Sequence, residues 1–206
     1  MVFSTLSRMP LLGELVRIFN TYAYRGDPRA DEEFAGVRLW VTAFWVPVLF
    51  ACIGAALCVP ELLNRQLPPG YALAYSVAAR PGAIATGALP SLLGFGIGVY
   101  ALVFGLHRGL LKQLQESYAV RPGEKQKPGS ALVVNAEMAV PLLVLAITIV
   151  VGVVEQAAPA SEWARALSWY TLWLSLIFTI ELVTTLFALG ENVVLKTLSD
   201  DQGGPS

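Results

Sequence analysis

The chain has 206 residues, of which 55% are hydrophobic and only 14% are charged, and its mean hydropathy is +0.60. Soluble domains are about 25% charged, so this chain lacks the charge to cover a water-exposed surface. Its apolar content also excludes an intrinsically disordered protein. The formal net charge of -1 excludes strong electrostatic attraction to nucleic acid, so no direct nucleic-acid partner is expected. An integral membrane protein is the class that remains.

Apolar blocks of membrane-spanning length follow one another along the chain. At about 1.5 Å of rise per residue, a helix of about 20 residues crosses a hydrocarbon core of about 30 Å. Barrel strands would alternate apolar and polar residues, whereas these blocks are apolar on all sides. The sequence therefore predicts an all-α integral membrane protein with a four-helix transmembrane domain from 39 to 189. The blocks are Leu39–Val59, Ala83–Leu106, Val133–Val154 and Leu167–Leu189.

The basic residues give an orientation. All 14 Lys and Arg lie outside the blocks, and 11 of them fall in the N-terminal segment, the loop after the second block and the C-terminal tail. Arg65, Arg80 and Arg165 are the three on the other side. Because basic loops stay in the cytoplasm, both termini and the middle loop are predicted to be cytoplasmic. Residues 190–206 then form a cytoplasmic tail, and the lipid bilayer is the first predicted partner.

Residues 1–38 form a predicted cytoplasmic amphipathic segment. Apolar residues recur there at spacings of three and four, while Arg8, Glu14 and Arg17 lie largely on the other face, which is typical of an amphipathic helix. This helix would lie along the cytoplasmic leaflet, or it would pack on another subunit or a partner protein. The following run of mixed charges, 25–38, is interpreted as a solvated linker. The apolar positions of the helix are Leu6, Met9, Leu12, Leu15, Val16 and Phe19.

Two glutamates lie inside the apolar blocks. Glu181 is near the middle of the fourth block, and Glu137 is near the start of the third. A charge at bilayer depth is costly, so Glu181 is expected to be neutral, paired or facing water. It either makes a hydrogen bond that fixes helix or subunit packing, or it belongs to a proton or ion path. No block contains a basic residue that could pair with Glu181, and Glu137 is expected to pair with His107 or Arg108 at the interface.

A glycine-rich string in the second block, Pro90-Ser-Leu-Leu-Gly-Phe-Gly-Ile-Gly98, stands out among the apolar residues. Gly94 and Gly98 form a GxxxG pair, which lets two helix backbones approach closely, and Gly96 adds a second small surface. A close helix crossing is the first interpretation. The alternative is a non-helical, pore-lining backbone similar to a carbonyl filter. The glycine face and Glu181 together predict a homo-oligomer.

The stretch around these glycines also carries a family resemblance. Leu89-Pro-Ser-Leu-Leu-Gly-Phe-Gly-Ile-Gly-Val-Tyr-Ala-Leu-Val-Phe-Gly105, together with the four-span topology, resembles small bacterial membrane proteins encoded in antiviral defence operons. The membrane component of the two-gene Kiwa system is one member of that group. The resemblance implies a homo-oligomer in the bacterial inner membrane that senses or executes a response beside a soluble cytoplasmic partner.

Two functions follow as expectations. The first is an oligomeric inner-membrane component of an antiviral defence system that anchors or signals to a soluble partner. That partner would dock on the N-terminal segment and on Arg108 and Lys112 of the middle loop. The alternative is a small ion channel or pore-forming effector that conducts along Glu181 and the glycine face, with an orphan transporter subunit as a weaker third possibility. The sequence contains neither a nucleophile triad nor a nucleotide-binding loop, so no catalysis, cofactor or metal is expected.

Overall fold

The computed structural model describes residues 12–65, 68, 73, 75, 77–106 and 130–202. All regular structure within these ranges is helical, which confirms the predicted all-α class. Four of these helices are long and apolar enough to cross a membrane, so the chain is a multi-pass membrane protein. The helices are α1 (Leu12–Ala23), α2 (Val37–Cys58), α3 (Pro60–Asn64), α4 (Pro81–Leu106), α5 (Ser130–Ala157) and α6 (Glu162–Gln202).

The four long helices pack around a central pair. α5 and α6 pack against each other along their length, α2 packs on α6, and α4 packs on α5 and also touches α6. α5 and α6 bury the largest share of their residues, whereas α2 and α4 bury the least. Large apolar side chains such as Phe50, Phe95 and Phe187 therefore point away from the protein, as expected where the surroundings are lipid.

Small residues allow close backbone approach at the end of the bundle that carries the α5–α6 turn. A Cβ atom added to Gly82 of α4 would lie 2.6 Å from the carbonyl oxygen of Gly152 in α5. A Cβ on Gly152 would lie 2.9 Å from the Cβ of Ala85. In the same way, Gly54 of α2 accommodates the ring of Trp173 from α6, which would lie 2.5 Å from an added Cβ. Because glycine has no side chain, the neighbouring helix can approach its backbone directly, and membrane helices pack tightly at such positions.

Two ion pairs connect the α3 region to the start of α6. Arg65 lies 2.9 Å from Glu162, and Arg165 lies 3.0 Å from Glu61. Two of the three basic residues on the predicted outer side are therefore neutralised by local acids. The two ion pairs hold the α3 region against the start of α6.

α1 packs on the membrane helices of its own chain. The amphipathic helix predicted from Leu6 begins outside the described residues, and over that part it stays a prediction. Within the described part, apolar side chains of α1 pack on residues from α5 and α6, while Glu14 and Arg17 face outward. Packing of α1 on its own spans was not among the surfaces predicted from the sequence, and packing on the leaflet or on a separate chain stays a prediction for the outward face of α1. The contact joins Ile18, Phe19 and Tyr22 to Val140, Val144 and Phe178.

The segment from 24 to 36 is folded, which corrects the interpretation of 25–38 as a solvated linker. The Asn20 side chain, which is fully buried, donates hydrogen bonds to the carbonyl oxygens of Ala30 (2.7 Å) and Glu33 (2.8 Å). It also accepts one from the Ala35 N–H at 2.8 Å. A 3₁₀ turn at Pro28–Asp31 is capped by Asp27. The hydrogen-bonded Arg29 guanidinium holds the pKa of Asp27 below its usual range.

The last helix is longer than the sequence pattern predicts. Hydropathy ends the fourth span at Leu189 and begins a tail at 190, whereas α6 runs for 41 residues to Gln202. The part suited to a membrane ends at Glu191. The remaining 11 residues extend the helix by about 16 Å beyond the span. Their cytoplasmic location stays a prediction.

Candidate functional site

A cavity of about 220 Å³ lies between α1, α2, α5 and α6, and both intramembrane glutamates line it. Thr42 and Glu137 lie five residues inside the starts of their spans, and Glu181 lies ten residues before the end of its span. Because successive spans run in opposite directions, all three belong to the predicted cytoplasmic end, at depths of about 8–15 Å. The cavity is lined by Tyr22, Arg25, Thr42, Ala43, Val133, Ala136, Glu137 and Glu181.

Glu181 is bound by a residue of α1. The Tyr22 hydroxyl donates a hydrogen bond to Glu181 Oε1. The Tyr22 ring lies against Phe44 of α2 and Phe178 of α6, with ring centroids 5.1 and 6.1 Å apart. The hydrogen bond between Tyr22, which lies outside the spans, and Glu181, which lies inside one, is therefore flanked by aromatic rings from two spans.

Glu137 lies in the same cavity as Glu181, although nothing in the sequence pattern placed the two together. The Thr185 hydroxyl of α6 donates to Glu137 Oε2 at 3.5 Å. His107 and Arg108 lie outside the described residues, so the pairing of Glu137 with either of them stays a prediction. The structure thus brings together two carboxylates from the central helix pair, held next to hydroxyl groups on α1 and α6.

Arg25 supplies the cavity with a positive charge that the sequence pattern did not reveal. It follows α1 in a turn with a φ of 52°, which is uncommon for a residue other than glycine, and Gly26 follows at 73°. Gly26 is pressed against α5, because a Cβ there would lie 2.6 Å from the backbone nitrogen of Val133. This turn carries Arg25 to the cavity, so counting charges within the apolar blocks could not find it.

The electrostatics of the cavity act on Tyr22. Burial raises the pKa of the Tyr22 hydroxyl far above its ordinary value, and the hydrogen bond to Glu181 and the charges of Glu181 and Glu137 raise it further. Arg25 opposes this effect weakly. The phenol is therefore a neutral hydrogen-bond donor at any physiological pH.

A second cavity, of about 190 Å³, lies on the other side of α1. It is lined by polar residues of α1, including Glu14 and Thr21, and by residues of α4 and α5. The Tyr100 hydroxyl donates to Asn135 Oδ1 at 2.6 Å along its wall. Ala136 lines both cavities, so α1 is flanked by polar space on two sides.

The predicted glycine face divides into two parts. Gly96 packs inside the protein, where a Cβ would lie against Leu142, but none of the described atoms lies within 4 Å of a Cβ on Gly94 or Gly98. The backbone is α-helical throughout, so the interpretation of a non-helical, pore-lining backbone is wrong. Gly87 and Gly105 are open too. At about 100° per residue, these four glycines lie within about 20° of a single line parallel to the axis of α4. We name this set the outward glycine stripe: Gly87, Gly94, Gly98 and Gly105.

Buried hydroxyl groups continue from the cavity along the α5–α6 interface. The Thr148 hydroxyl donates to the Val144 and Thr171 carbonyl oxygens at 2.8 and 3.0 Å, and Ser168 and Ser175 are fully buried on α6. Glu155, only 3% exposed, lies farther along α5, where its carboxylate faces Gly82 of α4. Along α5 it is about 27 Å from Glu137, close to the thickness of the hydrocarbon core. We name this set the buried polar seam.

Glu155 did not stand out in the sequence because it follows the end of the third apolar block. A glycine in a run of valines, Gly152, with Glu155 three residues later, was the available indication of a close helix contact. Of the described atoms, none forms a hydrogen bond with Glu155 Oε2 or with Ser168 Oγ. In the described residues, no group of three or more His, Cys, Asp and Glu is arranged to hold a metal, and Cys52 and Cys58 are free thiols.

The first cavity, which contains Glu137 and Glu181, is the candidate functional site. It combines two intramembrane carboxylates, a phenol and a guanidinium. The carboxylates can bind and release protons, whereas the phenol and the guanidinium donate hydrogen bonds to them. Arg108 and Lys112, the predicted docking residues, lie outside the described residues, and their role stays a prediction. No protein-family model, no curated protein and no solved structure matches the chain.

Proposed function

We propose that this protein is an oligomeric inner-membrane component that anchors or signals to a soluble cytoplasmic partner in antiviral defence. One observation carries the signalling part: Tyr22, on a helix outside the spans, is hydrogen-bonded to Glu181 inside α6. A partner that moves the N-terminal segment changes the hydrogen bonding of a carboxylate within the membrane. The defence context rests on the resemblance of residues 89–105.

The proposed partner surface lies at the end of the molecule that carries α1. Arg29, Glu32 and Glu33 are exposed there on a segment that Asn20 holds in a fixed fold. The connection from α4 to α5, which contains Arg108 and Lys112, leaves from the same end. A rigid surface with charges of both signs suits a folded protein partner, because complementary charges give specificity and speed of association.

The proposed homo-oligomer uses the outward glycine stripe of α4. A second copy that packs its own stripe against it would bring two helix backbones together, as small residues do in membrane dimers. The double variant Gly94→Leu/Gly98→Leu is expected to lower the oligomer mass in detergent. Ala88→Leu, an exposed position about 100° from Gly87 around the same helix, is the control and is expected to leave the mass unchanged.

The main experiment is affinity purification in mild detergent from cells that carry the native locus, followed by mass measurement. The expected result is a complex of several copies with a soluble protein. The charge-reversed variant Arg108→Glu/Lys112→Glu should lose the soluble protein and keep the oligomer. Phage plating efficiency on the same strains reports the defence role. A monomer that purifies alone and strains that plate phage equally would contradict the proposal.

A channel or pore-forming effector is the second candidate, and the buried polar seam favours it. Buried hydroxyl groups lie at the interface of the two central helices, at depths between those of the cavity carboxylates and of Glu155. Glu181→Gln keeps the size of the side chain and removes its charge, so it should reduce any ion leak that expression causes. Thr184→Val, which removes an exposed hydroxyl on the same helix, is the control. A leak that Glu181→Gln leaves unchanged counts against conduction.

A further inference from the structure

We propose that α1 is a lid over the carboxylate cavity, that the Tyr22–Glu181 hydrogen bond holds it shut, and that opening admits cytoplasmic water to Glu181 and Glu137. The inference deepens the proposed signalling function, because it states what a partner on the N-terminal segment would change. Its test needs no partner, so the lid and the signalling function can fail separately.

The contact between α1 and the spans is narrow. Ile18, Phe19 and Tyr22 form its apolar strip, and cavities of about 220 and 190 Å³ flank the helix on both sides. Glu14 and Arg17 are exposed residues at the rim of the second cavity, so their side chains already contact solvent while α1 is docked. Detachment of α1 with the segment that follows it also separates Gly26 from Val133 of α5 and Phe34 from Trp40 of α2. The spans are packed against each other more extensively than this, so α1 opens more readily than two spans separate.

The lid moves as one unit with the segment that follows it. Asn20 ties α1 to Ala30, Glu33 and Ala35 through three hydrogen bonds, so α1 cannot swing without the segment from 24 to 36. Gly36, the N-cap of α2, is exposed, and no described atom lies within 4 Å of a Cβ position there. Its carbonyl oxygen accepts hydrogen bonds from the N–H groups of Leu39 and Trp40, so we place the hinge at the φ angle of Gly36, where rotation leaves these two bonds intact.

The polar contact acts as the latch. The Tyr22 hydroxyl provides the hydrogen bond that the structure shows to the Glu181 carboxylate, whereas Thr184 reaches only the Glu181 backbone carbonyl. A hydrogen bond to a carboxyl group is strengthened where aromatic rings exclude water, as Phe44 and Phe178 do here. Loss of the hydroxyl alone should therefore shift the lid toward its open state while the ring packing remains.

The experiment measures water access to the cavity. Ala43, which lines it, is changed to cysteine in a chain whose Cys52 and Cys58 are alanine, and a charged, membrane-impermeant maleimide is added to inverted or right-side-out vesicles. Tyr22→Phe should raise the labelling rate about fivefold to tenfold, as expected for the loss of one hydrogen bond, and from the cytoplasmic side alone. Tyr24→Phe, the same chemical change two residues later, should leave the rate unchanged.

A double-mutant comparison tests the latch itself. If Tyr22 and Glu181 act through one contact, Tyr22→Phe/Glu181→Gln should label no faster than Tyr22→Phe alone. Equal rates in wild type and Tyr22→Phe, additive effects of the two changes, or access from the opposite face would each overturn the lid. Tyr→Phe and Glu→Gln closely preserve the shape of the side chain, and unchanged elution in detergent verifies that the variants fold. A failed pull-down with normal lid opening would contradict the signalling function only.

Discussion

Single side chains decide how the segment before the first span folds. Asn20 is an amide on an otherwise ordinary helix, yet it closes three hydrogen bonds to a stretch whose composition is that of a solvated linker. Mixed charge predicts solvent exposure on average, but it carries no information about a single buried amide. The sequence flagged Glu181 and Glu137 because charge is costly in lipid. It could not identify Tyr22, because that contact joins residues 159 positions apart.

Asn20→Ala should loosen the segment from 24 to 36. The substitution leaves two carbonyl oxygens and one N–H without partners, and each buried unsatisfied group costs about 1–3 kcal/mol. Trypsin should then cleave after Arg25 or Arg29 at least tenfold faster. Thr21→Ala, which removes a hydroxyl bonded to the Arg17 carbonyl of its own helix, is the control. Equal cleavage rates for the two variants would contradict the role of Asn20.

The ionisation of Tyr22 gives a test in alkaline solution. Its pKa is raised above the ordinary value near 10 in the folded protein, so folding favours the neutral phenol. The stability from this shift is complete below pH 10 and is lost as pH rises through the folded pKa. Phenolate absorbance up to about pH 11 should therefore be the same in wild type and Tyr22→Phe. A wild-type excess of one phenolate near pH 10 would show that Tyr22 is exposed.

At the scale of elements, hydropathy identified the four spans but not their contacts. The structure confirms all four because an uninterrupted apolar block of about 20 residues has few alternatives to a spanning helix. The blocks are apolar on all sides, so no periodicity reveals which face meets protein and which meets lipid. Gly94 and Gly98 consequently stood out in the sequence although they face outward, while Gly82 and Gly152 at the true crossing did not. The end of α6 also differs from the end of the predicted block, because its backbone hydrogen bonds continue through polar residues that hydropathy excludes from the span.

Gly82→Ala should destabilise the contact between α4 and α5. The added methyl group would lie 2.6 Å from the Gly152 carbonyl oxygen and 2.2 Å from Glu155 Oε2, so the backbones must separate. Overpacking of this kind costs about 1–3 kcal/mol. Gly190→Ala in α6, where no described atom lies within 4 Å of the added methyl group, is the matched control and should be neutral or stabilise by about 0.5–1 kcal/mol. Unfolding in mixed detergent with SDS, followed by circular dichroism, measures both.

The whole molecule is organised by the central pair, with α2 and α4 as lipid-facing flanks and α1 docked at one end. Its class was predictable from composition, because 14% charge cannot cover a soluble domain of this size. The predicted orientation rests on the distribution of Lys and Arg residues alone.

Reporter fusions test this orientation. Green fluorescent protein after Ser206 should fluoresce, because it folds in the cytoplasm, and alkaline phosphatase placed after Pro159 in the α5–α6 turn should be active. Alkaline phosphatase placed at 120, between α4 and α5, serves as the internal control and should be inactive. Activity at 120 together with inactivity at 159 would mean that the protein is inserted the other way round.

The length of α6 has a mechanical consequence. One continuous helix contains Glu181 and then extends about 16 Å past the bilayer, without a break at which motion could be absorbed. A tilt of its embedded half by about 10° would displace its distal tip by about 3 Å relative to the membrane surface, in a fixed direction. The position of the C-terminal end outside the lipid therefore depends on the tilt of the half of α6 that contains Glu181.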